Sequence, residues 1–151
     1  MTALRTAADV TIRSAGAPDA AHVAALLTQL VGTDVSADAA AARLAALSAT
    51  GHDGVFLAER NGTPLGLVAL HWGPQIHRTP LTARIVSLVV TEAARGQGVG
   101  AMLLDHCETI ARAQGCGVME LTSDAGRTDA HRFYRRHGYD GSSIRFRKQL
   151  A

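Results

Sequence analysis

Apolar side chains recur every three or four residues in four stretches of the chain, which is the spacing of one helix face. In the first stretch the repeat consists of Val23, Leu26, Leu27 and Leu30. Ser36 stands before the second stretch, where a helix N-cap is expected, and Gly138 follows the fourth, where a helix commonly ends. The pattern predicts helices over residues 17–30, 37–48, 98–114 and 128–137.

Shorter apolar stretches lie between turn-forming residues and are typical of β-strands. We predict strands over residues 10–13, 55–60, 64–72, 83–90, 117–122 and 144–148. Asn61-Gly62 favours a tight hairpin between the second and third of these strands. Residues 51–54 break the chain, and residues 73–81 are expected to form a polar loop.

The predicted order of elements is β-α-α-β-β-β-α-β-α-β, an α/β pattern. Hairpins in the middle of the chain and a crossover helix later indicate a mixed, largely antiparallel sheet with helices on both faces. The nearly continuous apolar run at 83–90 predicts a strand that is covered on both faces.

Composition restricts the class of protein. The 151 residues are 47% hydrophobic and 19% charged, which suits one globular domain with a real core. A net charge of +2 is too small to indicate nucleic-acid binding. Two cysteines do not make a disulfide framework, and Cys107 lies on the apolar stripe of the third helix, so we expect it to be a buried core thiol.

The first residues of the chain and the lengths of its apolar runs indicate where in the cell we expect the protein. We expect residues 1–9 to be a loose leader, without the basic, apolar, small-residue order of a signal peptide. No apolar run reaches the length of a membrane span. These features predict a cytoplasmic protein, and no motif predicts a metal site.

A glycine-rich loop joins the strand at 83–90 to the third helix and reads Arg95-Gly96-Gln97-Gly98-Val99-Gly100. A helix N-terminus carries unsatisfied N–H donors and about half a positive charge, so this loop predicts a phosphate-bearing ligand. No Gly-Lys-Ser/Thr follows, which argues against a nucleotide P-loop. Gly96, Gly98 and Ala101 match the GxGxxA spacing of dinucleotide folds, but five residues separate the strand from the first glycine.

Two segments together resemble the GCN5-related N-acetyltransferase (GNAT) family. Arg95, Gly98 and Gly100 match in order the family's acyl-CoA loop, Arg/Gln-x-x-Gly-x-Gly/Ala. Residues 130–139, AHRFYRRHGY, match its Ala-x-x-Phe/Leu-Tyr-x-x-x-Gly-Phe/Tyr segment. The resemblance is specific over residues 84–140 and implies a single N-acetyltransferase domain over residues 10–151.

The resemblance implies that acetyl-CoA, or a close acyl-CoA, is the acyl donor. Its pyrophosphate would lie on the amides of residues 95–100, which include Gln97 and Val99. The strand end at residues 88–90 (Leu88, Val89 and Val90) would offer backbone groups to the pantetheine arm, and the Val90 N–H would polarise the thioester carbonyl. Arg127, which stands where many relatives have asparagine, could contact phosphates or an acidic substrate group, and His131 could line the same cleft.

Tyr134 is the expected proton donor to the leaving thiolate, because an ordinary tyrosine stays protonated at neutral pH. The base is open. The family often places a carboxylate on the strand before the loop, and this strand has Arg84 and Ser87 instead. The candidates are therefore Glu120, His71, His77 and a water relay.

The predicted function is transfer of an acetyl group to a primary amine of a small molecule or peptide, by direct attack in a ternary complex. The sequence does not identify the acceptor amine. A partly apolar pocket for it is suggested by His71, Trp72, His77 and Arg78. A non-catalytic acyl-CoA-binding module or sensor is the alternative, since the strand carboxylate is missing. A homodimer is also possible if the exposed final strand pairs with a second copy.

Overall fold

A computed structural model describes residues 9–151, and in this range five strands form one sheet in the order β1-β2-β3-β4-β5. The strands are β1 (Thr11–Ser14), β2 (Asp53–Arg60), β3 (Thr63–Gln75), β4 (Arg78–Val90) and β5 (Cys116–Leu121). The α-helices are α1 (Ala20–Val31), α2 (Ala37–Ser48), α3 (Val99–Ala113) and α4 (Thr128–Arg136). All neighbouring strands are antiparallel except β4 and β5, which run parallel. The predicted fold class is confirmed.

Two hydrophobic clusters lie on opposite faces of the sheet. One includes Val23 of α1, Leu44 of α2 and Val89 of β4, and the other includes Ile85 of β4 and Cys107 of α3. Because β4 sends buried side chains to both clusters, the prediction that this strand is covered on both faces is confirmed. The Cys107 side chain is fully buried, as expected, and burial raises the pKa of its thiol to about 12.

The local signals at turns and helix ends are also confirmed. Ser36 Oγ accepts a hydrogen bond from the Ala39 N–H at 3.1 Å and so caps α2. Asn61 and Gly62 have φ values of 50° and 78°, the left-handed conformation that a tight hairpin turn requires. None of the helices within residues 9–151 is long and apolar enough to cross a membrane.

Two sequence predictions on secondary structure are wrong. Residues 73–81 are not a polar loop, because β3 continues to Gln75 and β4 begins at Arg78. Pro74 falls within a register shift between Gly73 and Gln75, where its missing N–H does not interrupt a regular ladder.

The second wrong prediction is the strand at residues 144–148, where the structure has no regular secondary structure. Ile144 and Phe146 are 80% and 91% exposed, so the alternation of apolar residues there has no sheet to pack against. The predicted pairing of this strand with a second copy therefore loses its structural basis. The leader predicted for residues 1–9 lies, except for Asp9, outside the described residues.

An ion pair between β1 and the start of α1 predicts acid sensitivity. Arg13 binds both Asp19 oxygens, at 2.7 and 2.9 Å, and this contact holds the pKa of Asp19 at about 2. A carboxyl whose pKa is lowered by folding stabilises the fold above its unfolded pKa, and the stabilisation disappears as the pH falls to the folded value.

We expect Asp19→Asn to destabilise the protein at neutral pH and to remove part of the loss of stability between pH about 4 and about 2. Thermal unfolding across that range measures both effects. Asp34→Asn, which removes an exposed carboxylate, is the control. Parallel acid profiles for wild type and Asp19→Asn would contradict the role of the ion pair.

Candidate active site

The sheet opens between β4 and β5. Their pairing runs only from Leu81 to Ile85 of β4, so residues 86–90 have no strand beside them on that edge within the described chain. On the other edge the Thr91 N–H donates to the Leu65 carbonyl at 2.8 Å. Because main-chain groups alternate in direction along a strand, those of Leu88 and Val90 point toward the open edge. An extended ligand can pair there as an added strand.

A β-bulge lies on β4 directly after the end of its pairing with β5. Ala69 pairs with Ser87 but Leu70 pairs with Ile85, so Val86 is an extra residue on β4. Its side chain is 61% exposed. A bulge bends a strand and redirects its side chains, which is common beside active sites.

The glycine-rich loop continues from the open edge. Gly96 and Gly98 have φ values of 77° and 83°, and the first helical bond of α3 is from the Met102 N–H to the Gly98 carbonyl. Within the described part of the chain, the amides of residues 98–101 come before this first helical bond and donate to no protein acceptor. These donors, at the positive end of α3, are arranged as an anion-binding site requires.

Side chains hold this loop in place. Arg60 donates from Nη1 and Nη2 to Gln97 Oε1, both at 3.2 Å, and Gln97 Nε2 donates to the Ala93 carbonyl at 3.1 Å. The Gln97 side chain is thus occupied in fixing the loop, and its backbone is what it can offer a ligand. Arg95 Nε donates to the Val90 carbonyl at 3.2 Å, which links the loop to the open edge of β4.

Helix α4 lies against the start of α3. A Cβ built on Gly100 would be 3.4 Å from the Phe133 ring and 3.7 Å from Val90, so α4 packs beside the loop and the end of β4. Tyr134 follows Phe133, and burial raises the pKa of its hydroxyl, partly opposed by the charge of Arg127. His131 Nε2 donates to the Asp124 carbonyl at 2.8 Å and so ties α4 to the turn before it.

Two surface cavities adjoin β4 or the loop that follows it. A broad open one of about 730 Å³ borders the loop and includes both Glu92 and Arg95. A narrower cavity of about 390 Å³ lies between α1, α2 and the sheet, and is mostly apolar. Val86 and Ser87 reach this second cavity, so it adjoins the bulge.

Two charged residues at this cavity were not singled out from the sequence. Arg43 comes from α2, and Asp53 begins β2 and binds His71 Nδ1 at 2.9 Å. Asp53 falls in the stretch predicted only to break the chain, and no local signal connects it with His71. Among the described residues, no group of His, Cys, Asp and Glu could hold a metal ion.

Comparison with known proteins agrees with this arrangement. The sequence model of the Acetyltransferase (GNAT) family matches residues 25–139, so the chain belongs to this family. The resemblance inferred from the two motifs is confirmed.

Among curated relatives, an aminoalkylphosphonate N-acetyltransferase of Salmonella typhimurium is 43% identical over 94 residues, which cover 62% of this chain and 61% of that protein. A transcriptional regulator from Bacillus halodurans has a TM-score of 0.87 at 23% identity, with 93% and 99% of the two chains covered. An aminoglycoside N-acetyltransferase solved with CoA has a TM-score of 0.83 at 17% identity, with 94% and 95% covered. The last two show the fold alone.

Proposed function

We propose that this chain transfers the acetyl group of acetyl-CoA to the primary amine of a small molecule, and that residues 10–151 form the single domain that does so. The observation that carries the proposal is the open edge of β4 at residues 86–90, continuous with the unpaired amides of the glycine-rich loop. A pantetheine arm has amide groups to pair with such an edge, and a pyrophosphate suits the loop.

The pantetheine arm and the phosphates of acetyl-CoA then have partners. The backbone groups of Leu88 and Val90 pair with the pantetheine arm, which would put its thioester end toward the bulge at Val86, while the amides of residues 95–100 bind the pyrophosphate. Arg127 lies at the start of α4, where its charge suits the phosphates. His131 on the same helix would support the site indirectly, because its ring already donates to the Asp124 carbonyl.

Direct attack by the amine is favoured over an acyl-enzyme intermediate. An acyl-enzyme would form by attack of a cysteine thiolate on the thioester. The Cys107 thiol is fully buried and has a pKa of about 12, so it does not supply that thiolate. Burial also raises the pKa of Cys116. The amine therefore attacks the thioester carbonyl itself, and Tyr134 donates a proton to the departing thiolate of CoA.

Aminoalkylphosphonates are the first acceptors to test. The support is the curated relative of that name, together with the cavity, whose apolar wall suits a short alkyl chain and whose Arg43 could pair with a phosphonate. The curated relatives are matched over only 61%, 47% and 41% of their own lengths, so the acceptor is a proposal for this chain.

The test combines binding with turnover. Calorimetry measures acetyl-CoA binding, and mass spectrometry measures N-acetylation of 2-aminoethylphosphonate and of ethylamine, which lacks the anionic group. We expect acetyl-CoA to bind and 2-aminoethylphosphonate to be acetylated with the higher kcat/KM. Binding without transfer to any amine in a wider library would favour the non-catalytic module instead, and no binding would overturn the proposal.

A further inference from the structure

The described residues near β4 include three side chains that could accept a proton from the amine, and their positions differ. Both oxygens of Glu120 face arginines, Oε2 at 3.2 Å from Arg78 and Oε1 at 3.7 Å from Arg84. Glu120 does not line the cavity beside the bulge. Its carboxylate serves to join β5 to β4.

His77 lies at the tip of the β3–β4 hairpin, where its side chain is exposed. Val86 is nine positions further along the chain, and an extended strand of that length spans about 30 Å. The open edge of β4 begins only at Val86. His77 is therefore remote from the place where the thioester would lie.

His71 has a different environment. Its Nδ1 lies 2.9 Å from Asp53 Oδ1, and the other oxygen of Asp53 accepts a hydrogen bond from Thr50 Oγ1 at 2.7 Å. The side chain of Asp53 is 11% exposed, whereas that of His71 is 51% exposed. A carboxylate has no hydrogen to donate. In the neutral imidazole, the Nδ1 that faces Asp53 therefore carries the hydrogen, and Nε2 keeps its lone pair. Among the described residues Nε2 has no hydrogen-bond partner.

The sheet places His71 close to the bulge. On β3 it is two residues from Ala69, the partner of Ser87, and side chains two apart on a strand share one face about 7 Å apart. His71, Val86 and Ser87 all line the cavity of about 390 Å³. An amine entering from this cavity would meet the imidazole of His71 and residues 86–87, where the open edge of β4 begins.

We propose that His71 is the base that deprotonates the acceptor amine, directly or through one water, and that Asp53 is its positioning residue. This inference rests on the proposed acetyltransferase function. Nε2 takes one proton from the ammonium, and the freed amine forms the C–N bond as the C–S bond breaks. Tyr134 gives a proton to the CoA thiolate, and the nitrogen's second proton restores the Tyr134 hydroxyl. The proton on His71 passes to solvent.

The test compares His71→Gln and Asp53→Asn with His77→Gln and Glu120→Gln. The acceptors are 2-aminoethylphosphonate and its aminooxy analogue, whose nitrogen is already unprotonated at neutral pH. We expect His71→Gln to lower kcat for the alkylamine at least tenfold with little change in acetyl-CoA affinity, and Asp53→Asn to lower it less. The loss should shrink strongly with the aminooxy acceptor, because no proton has to be removed first.

The pH profile supplies a second readout. The charged groups around His71 are Asp53 from β2, Arg84 across from it on β4, and Arg43 of α2, which lines the same cavity. We expect the rate of His71→Gln with 2-aminoethylphosphonate to keep rising with pH well above neutral, because without the base only the unprotonated amine can attack. His77→Gln should keep the wild-type profile.

Equal losses with both acceptors, or a loss in Glu120→Gln but not in His71→Gln, would overturn the assignment while leaving the acetyltransferase function intact. A wild-type protein that acetylates no amine would instead refute the function, and the assignment with it.

Discussion

Replacing Tyr134 with phenylalanine should lower kcat by about 100- to 10,000-fold, the usual contribution of a general acid. The affinity for acetyl-CoA should stay nearly the same, because the ring remains and only the hydroxyl is removed. Burial raises the pKa of Tyr134, so the hydroxyl is protonated throughout the neutral range and can donate when the thiolate forms. Stopped-flow or steady-state kinetics, with calorimetry for acetyl-CoA, separate the two effects.

Tyr139 provides a matched control. Its ring lies 6.1 Å from that of Tyr134, and its hydroxyl donates to Glu108 Oε2 at 3.3 Å. Tyr139→Phe therefore removes a neighbouring hydroxyl with a structural contact, and we expect lower thermal stability with kcat nearly unchanged. Equal loss of kcat in the two variants would mean that Tyr134 acts through packing and would exclude it as the acid.

The second large effect concerns the glycine-rich loop. Gly96→Asp should weaken acetyl-CoA binding about 100-fold or more, because like charges a few ångströms apart at a protein surface repel by about 4 kcal/mol. The new carboxylate would stand where the pyrophosphate is expected, and nothing lies within 4 Å of a Cβ built at this position. Calorimetric titration with acetyl-CoA measures the change.

Gly115→Asp separates charge repulsion from backbone strain. Gly115 follows the other end of α3, with a φ of 83° against 77° for Gly96, and it too has open space for a Cβ. A negative charge is unfavourable near a helix C-terminus, so this variant should lose more stability than Gly96→Asp and still bind acetyl-CoA. Similar affinities in the two variants would contradict an anion site at the loop.

Sequence patterns predicted those parts of the fold that depend on neighbouring residues. The stripe through α3, the cap at Ser36 and the Asn61-Gly62 turn are each formed within a few residues, so their side chains alone indicate them. The same holds for the loop at residues 95–100, which combines a strand, glycines and a helix start.

The pairing of Asp53 with His71 could not be predicted in this way. It depends on the register of β2 against β3, which is set by a hairpin and by a bulge between Ala58 and Glu59. Shifting a strand by a single residue reverses the face of every side chain on it. Register is a property of the assembled sheet, and the sequence of β3 by itself made His71 no more significant than His77.

The predicted last strand failed for a related reason. Residues 144–148 alternate apolar and basic side chains as a strand would, but alternation only produces a strand where an apolar face can be covered. In the structure Ile144 and Phe146 remain exposed. The pattern is necessary for a half-buried strand and is not sufficient for one.

The gap beside β4 has a consequence for the protein without its ligand. Unpaired strand edges invite pairing with other chains and promote aggregation. Acetyl-CoA lying along residues 86–90 would occupy that edge and leave nothing for a neighbouring molecule to join. We therefore expect the protein to aggregate more slowly with acetyl-CoA present than without it.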